Sequence, residues 1–147
     1  MNSTSEAIST SGWFTSANWA ESPIGPGDPA TTPRLARAAV SNNFTGGLTA
    51  AGTVCEYTLS YVTERTGVLN GLELITGSLD GRRGSFVIEQ RGSFDEDGSV
   101  HCSFEVVAGS GTGALTGLRG SGSFRSRQGE SAVPYVFGYD GLDQHEN

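Results

Sequence analysis

The chain has 147 residues and a net charge of −7, from sixteen acidic residues against nine basic ones. One domain with one core is the expectation at this length, and the negative balance repels a phosphate backbone, which argues against nucleic acid as a partner. All nine basic residues are arginine, so Schiff-base, pyridoxal-phosphate and phosphate-loop lysine chemistry are excluded.

Met1 to Thr10 is rich in Ser and Thr with neither a basic start nor an apolar stretch, so it reads as neither a signal peptide nor an anchor. No run approaches the ~20 apolar residues of a membrane helix. The cytoplasm is therefore the expected compartment, and a membrane is not an expected partner. Residues 1–10 and 141–147 are polar and patternless and are expected to be disordered tails around a single domain, 11–140. Ser22 to Pro33 carries four of the five prolines and reads as a long loop, either a lid over a cavity or a plain connection.

From Arg34 onward short β-prone runs recur between glycines: Ala38–Phe44, Gly52–Val62, Val68–Ser78, Gly84–Phe94, Ser99–Val107, Gly120–Arg127 and Val133–Tyr139. This spacing predicts a meander of hairpins. Leu79-Asp80-Gly81 and Asp95-Glu96-Asp97-Gly98 place glycine where a hairpin turn needs a positive φ. Arg34–Ala39 and Gly113–Arg119 have room for a turn or two of helix, the second more readily as an irregular or 3₁₀ crossing.

Alternation shows in several runs. Cys55, Tyr57, Leu59 and Tyr61 share one face against Glu56, Thr58 and Ser60; Phe86, Ile88, Gln90 and Phe94 share another, as do Cys102, Phe104 and Val106, and Val133, Tyr135, Phe137 and Tyr139. With almost no helix to cover these apolar faces, the strands must cover one another. The expected fold is all-β: an antiparallel up-and-down barrel of about eight strands, of the allene-oxide-cyclase-like or lipocalin-like kind, favoured over a sandwich. A barrel of that size leaves room for side chains or one small ligand.

Trp19-Ala-Glu21-Ser-Pro23, Cys55-Glu56-Tyr57, Gly71-Leu72-Glu73, Gly84-Ser85-Phe86-Val87 and the glycine-rich run Gly109 to Gly120 together resemble a bacterial family of uncharacterised small proteins with an allene-oxide-cyclase-like barrel. The likeness covers roughly Gly12 to Asp140. The segment ending Leu118-Arg119-Gly120 is also similar, more distantly, to barrels that act as cyclases in polyketide pathways, among them spirotetronate-forming Diels-Alderases. The resemblance implies an apolar cavity open at one end, no cofactor, and a small homo-oligomer, in the simplest case a homodimer. It transfers no catalytic residue.

The residues themselves exclude several chemistries. The Gly109-Ser-Gly-Thr-Gly113 spacing fits neither a dinucleotide fingerprint nor a phosphate loop; glycines crossing a barrel corner explain it better. With only His101 and His145, no metal site is expected, and no nucleophile elbow supports a triad. Cys55 and Cys102 read as buried thiols rather than a disulfide. Carboxylates remain: Glu73, set among Leu72, Leu74 and Ile75, either faces inward, where burial would raise its pKa and suit acid–base work, or outward against an arginine. Glu56 and Glu89 read as solvent-facing.

The expected catalytic residues are Glu73 and Tyr57; the expected substrate contacts are Trp19, Glu21, Tyr61, Phe86, Gln90, Phe104, Tyr135 and Tyr139. The function expected from these is a cofactor-independent cyclase or isomerase that folds a flexible, mostly apolar small molecule, polyketide-like or another secondary metabolite, inside the barrel. A non-catalytic carrier of a small hydrophobic ligand is the alternative, and a protein-interaction module the third.

Overall fold

The computed structural model describes residues 7–25, 28 and 31–142. Eight strands run in chain order: β1 Ile8–Pro23, β2 Arg34–Gly46, β3 Leu48–Tyr61, β4 Gly67–Leu79, β5 Arg82–Phe94, β6 Val100–Val106, β7 Arg119–Ser126 and β8 Val133–Asp140. Each pairs antiparallel with its sequence neighbours, and β1 meets β8 from Ile8 opposite Tyr139 to Phe14 opposite Val133, closing an up-and-down barrel. Closure removes the exposed edges that a seven-run meander would leave.

The turns follow from local chemistry. Asp80 and Gly81, at φ 48° and 89°, form the two-residue connection between β4 and β5, where both central positions must be left-handed to match the strand twist. Gly113–Leu115 is a single 3₁₀ turn in the crossing from β6 to β7, as its glycines imply. Arg34–Ala39, which has room for a helical turn by sequence, is instead the start of β2: Ala36, Ala38 and Val40 are buried while Leu35, Arg37 and Ala39 face out, a period of two that only a strand satisfies.

β1 begins at Ile8, so Ile8, Ser9 and Thr10 are ladder residues and not part of an N-terminal tail. At the other end Leu142, beyond the expected domain limit, is buried in the main core cluster. The His, Gln and acidic residues of 143–147 lie outside the described residues, as do 1–6.

The expected alternation holds in β3, β5, β6 and β8, whose inward residues fill the lumen. Two clusters stack along the barrel axis. The larger contains Phe14, Phe44, Ile75, Phe86, Phe104 and Phe137 and is sealed at one end by Leu115 and Leu118. The smaller, towards the other end, contains Ala36, Ala38, Cys55, Tyr57, Leu59, Leu69 and Cys102. Glycines make room for the rings: a Cβ on Gly71 would come within 2.4 Å of the Tyr57 ring, and one on Gly122 within 2.4 Å of the Phe104 ring. Among the described residues no helix is long and apolar enough to cross a membrane.

Candidate functional site

β4 inverts the usual rule. Leu72 and Leu74 point out, each about half exposed, while Glu73 points into the lumen with 2 % of its surface accessible. Register forces this: Glu73 lies two residues from Gly71 and Ile75, which pair with inward residues of the neighbouring strands, so facing Glu73 outward would turn Ile75 out as well. The outward alternative, paired with an arginine, is therefore not what the fold adopts.

A buried carboxylate must be met by donors, and three surround Glu73. Gln90 donates from Nε2 to Oε1 at 2.7 Å; Asn42 Nδ2 at 2.8 Å and Thr53 Oγ1 at 2.5 Å both donate to Oε2. Gln90 then accepts the Tyr57 hydroxyl at 2.6 Å through its own Oε1, and Ser16 Oγ donates to Asn42 Oδ1 at 2.6 Å. The result is a polar belt across the lumen at the junction of the two apolar clusters. Burial raises the Glu73 pKa above the ordinary glutamate value, opposed by the hydrogen bonds from Thr53, Asn42 and Gln90. Burial also lifts the Tyr57 hydroxyl well above the usual range. Cys55 and Cys102, both free and buried, each lie 3.7 Å from the Gln90 amide, and burial pushes the Cys102 thiol up to about 12.

Below the belt is an enclosed cavity of about 20 Å³, bounded by Tyr57, Glu73 and aromatic rings, enough for one water molecule and no more. Above it the barrel opens. A hollow of about 510 Å³ lies at the end where the β3–β4, β5–β6 and β7–β8 connections meet, with Leu59, Leu69 and Val100 among its apolar residues and Trp19, Tyr61 and Phe94 as aromatic ones. This size suits a small-molecule site. Two larger hollows, of about 740 and 620 Å³, run over the outer wall past outward residues such as Glu89, Arg91 and Ser123.

Trp19 reaches the mouth because β1 is bulged. Its register with β2 shifts between Ala17 and Ala20, and Asn18 takes a left-handed φ of 63°, a conformation asparagine tolerates better than most residues. The Trp19 ring then stands 6.1 Å from the Tyr57 ring, and its indole N–H donates to Glu21 Oε1 at 3.1 Å. The Tyr61 hydroxyl donates to the other Glu21 oxygen at 2.6 Å. Burial, followed by the bond to Glu21, pushes the Tyr61 pKa up to about 12. Arg34 lays its guanidinium over Tyr61, 4.0 Å from the ring centre; among the described residues its buried Nε has no hydrogen-bond partner, and the guanidinium is met by the π face instead.

The residues singled out from sequence thus divide into four groups. Tyr57, Glu73 and Gln90 form the belt, and Trp19, Glu21 and Tyr61 form one side of the mouth. Phe86 and Phe104 pack on Phe137, at 6.2 and 5.4 Å between ring centres, below the belt. Tyr135 and Tyr139 commit their hydroxyls to the closed end: Tyr135 accepts from the Leu48 amide at 2.9 Å and Tyr139 donates to Asp80 at 2.6 Å. Asn42, Thr53 and Arg34 were not singled out. Asn42 had a signal, since it shares the inward phase of Val40 and Phe44; Thr53 is hidden by the register shift between Ala50 and Val54. Among the described residues no group of three His, Cys, Asp or Glu is placed to hold a metal ion.

These features define an all-β protein: a closed eight-stranded antiparallel barrel with a buried acid–amide–phenol belt across its lumen. The chain belongs to the DUF3224 family, proteins of unknown function, whose family model matches residues 10–139. The structure is similar to the crystal structure of a DUF3224 protein of unknown function from Shewanella oneidensis MR-1, at 26 % identity and a TM-score of 0.70, covering 91 % of this chain and 97 % of that one. No curated protein matches the chain.

Proposed function

We propose that this protein binds a small, mostly apolar molecule at the open end of its barrel, with Leu59 and Leu69 as the floor of the site and the Tyr57–Gln90–Glu73 belt beneath them. The observation that carries the reading is the division of the lumen: about 20 Å³ lies enclosed beneath the belt and about 510 Å³ open above it. A ligand of drug-like size therefore sits above Tyr57, against Leu59, Leu69 and Trp19. The resemblance of the sequence to allene-oxide-cyclase-like barrels, which present an apolar cavity at one end, supports the same placement. Titration with a panel of small apolar molecules tests it, followed through Trp19 emission in the Trp13→Phe background. A saturable change is expected, and no response from Trp19 would contradict it.

One observation favours a second reading, a cofactor-independent cyclase or isomerase. The Tyr57 hydroxyl is linked through the Gln90 amide to a carboxyl whose pKa burial raises, which is the arrangement of a phenol that polarises a substrate carbonyl with an acid behind it. On this reading Glu73→Gln abolishes turnover and leaves ligand affinity within a few-fold, whereas a carrier has no turnover to lose.

A further inference from the structure

We propose that the ligand taken at the barrel mouth is an organic cation, an ammonium or substituted ammonium group carried on an apolar body. The inference rests on the mouth being the binding site and adds the charge of what binds there.

Three observations lead to it. The mouth offers ring faces: Trp19, Tyr61 and Phe94 all border the hollow, Tyr61 and Phe94 meeting edge to face with centres 5.2 Å apart. Ring faces attract cations through their quadrupole, and most strongly where water is excluded. One of these rings already holds a cation, since the Arg34 guanidinium lies over Tyr61.

The charges around the hollow are mostly negative. Glu64, Asp95 and Glu96 border it with Arg65 as the opposing charge. Asp95 faces His101 at 3.8 Å, which leaves Glu64 and Glu96 as the other carboxylates that border the hollow. Glu21 adds a third: its oxygens are held by the Trp19 indole and the Tyr61 phenol. Both are neutral donors, so they fix the carboxylate between two rings without cancelling its charge. Counting Arg34, four carboxylates stand against two guanidiniums. The whole chain, at −7, adds a field that draws cations and repels anions.

The apolar floor supplies the rest. Leu59 and Leu69 are buried inward residues of β3 and β4 that border the same hollow, so an apolar body descends towards Tyr57 while the charged head stays at the rim. A fatty carboxylate would place its charge among Glu21, Glu64 and Glu96, and like charges there oppose it.

The test uses the full chain and three benzyl probes: benzyltrimethylammonium, its uncharged carbon isostere neopentylbenzene, and the smaller anion phenylacetate. Binding is read from the indole N–H signal of Trp19 in NMR spectra, assigned with Trp13→Phe. The expected result is that the ammonium probe moves this signal and binds at least about tenfold more tightly than the isostere, a difference of about 1.4 kcal/mol, with phenylacetate weakest. Glu64→Gln combined with Glu96→Gln, both exposed loop positions, is expected to bring the ammonium probe down to the isostere. If the isostere or phenylacetate binds as tightly as the ammonium probe and moves the Trp19 signal, or if the double variant binds the ammonium probe undiminished, the cation inference fails while the mouth remains the site. If no probe moves the Trp19 signal, the cation inference and the mouth reading both fail.

Discussion

Gln90 stands between Glu73 and the open end of the barrel, its amide nitrogen 2.7 Å from the Glu73 carboxylate. Because the same amide accepts the Tyr57 hydroxyl, its orientation is fixed from both sides: the nitrogen must face the acid and the oxygen the phenol. Any change in the charge of Glu73 is thereby felt at the Tyr57 hydroxyl.

Glu73 makes stability depend on pH with a definite sign. Its folded pKa lies above its unfolded value, so the folded state holds the proton more tightly. The stabilisation this brings is complete below about pH 4.5, the ordinary glutamate value, and is lost as pH rises through the raised folded value. Urea unfolding from pH 4 to pH 8 is expected to show declining stability in the wild type, with that part of the slope missing in Glu73→Gln. Glu73→Ala leaves Gln90, Asn42 and Thr53 without their acceptor and is expected to cost about 3 kcal/mol.

Gly71→Ala is expected to destabilise the barrel by about 2 kcal/mol, the usual scale of overpacking a filled core. The new methyl would lie 2.4 Å from Tyr57 Cδ1 and 2.7 Å from the Glu56 carbonyl oxygen. The ring can yield but the backbone cannot. Chemical denaturation measures the loss, and a displaced Tyr57 ring should also alter the Trp19 signal that it stands beside.

Tyr135→Phe removes the hydroxyl that accepts the Leu48 amide and faces the Thr45 and Leu48 carbonyls at 3.0 and 3.2 Å. A buried donor left unpaired costs about 1–3 kcal/mol. The expected outcome is a drop of that size in unfolding free energy, with faster hydrogen exchange at Leu48 than at the amides of the β4–β5 ladder.

Cys55 and Cys102 are expected to resist alkylation in the folded protein. The thiolate is the reactive form, and burial raises both thiol pKa values, to about 12 for Cys102. Thiol titration at pH 8 should count none before unfolding and two after it.

The container was more legible in the sequence than its contents. Seven of the eight strands appear as β-prone runs; six of them bury alternate residues that are mostly apolar, β7 alternates glycine and serine with Phe124 half-buried, and the turn glycines mark their ends. β1 does not, since it presents Ser, Thr, Ala and Asn with Phe14 alone fully buried; its place is dictated by the ladders with β2 and β8, which single-strand pattern cannot show. Tyr57, Gln90 and Glu73 were legible as residue types on or near the inward phase, but their junction spans three strands and depends on register. The aromatic hydroxyls of Tyr135 and Tyr139 looked equally suited to a ligand. They serve the closed end because the register of β8 sets Tyr135 beside the β2–β3 turn and Tyr139 beside Asp80 of the β4–β5 turn.

Occupancy of the mouth is tested most directly by native mass spectrometry of the wild type and a Leu69→Trp variant purified side by side from the native host. Leu69 lies on the floor of the hollow, and an indole there fills the space a ligand needs. A retained small molecule in the wild type and its loss in a folded Leu69→Trp variant is the predicted result. A molecule retained equally by both, or by neither, would contradict a binding site at the open end of the barrel.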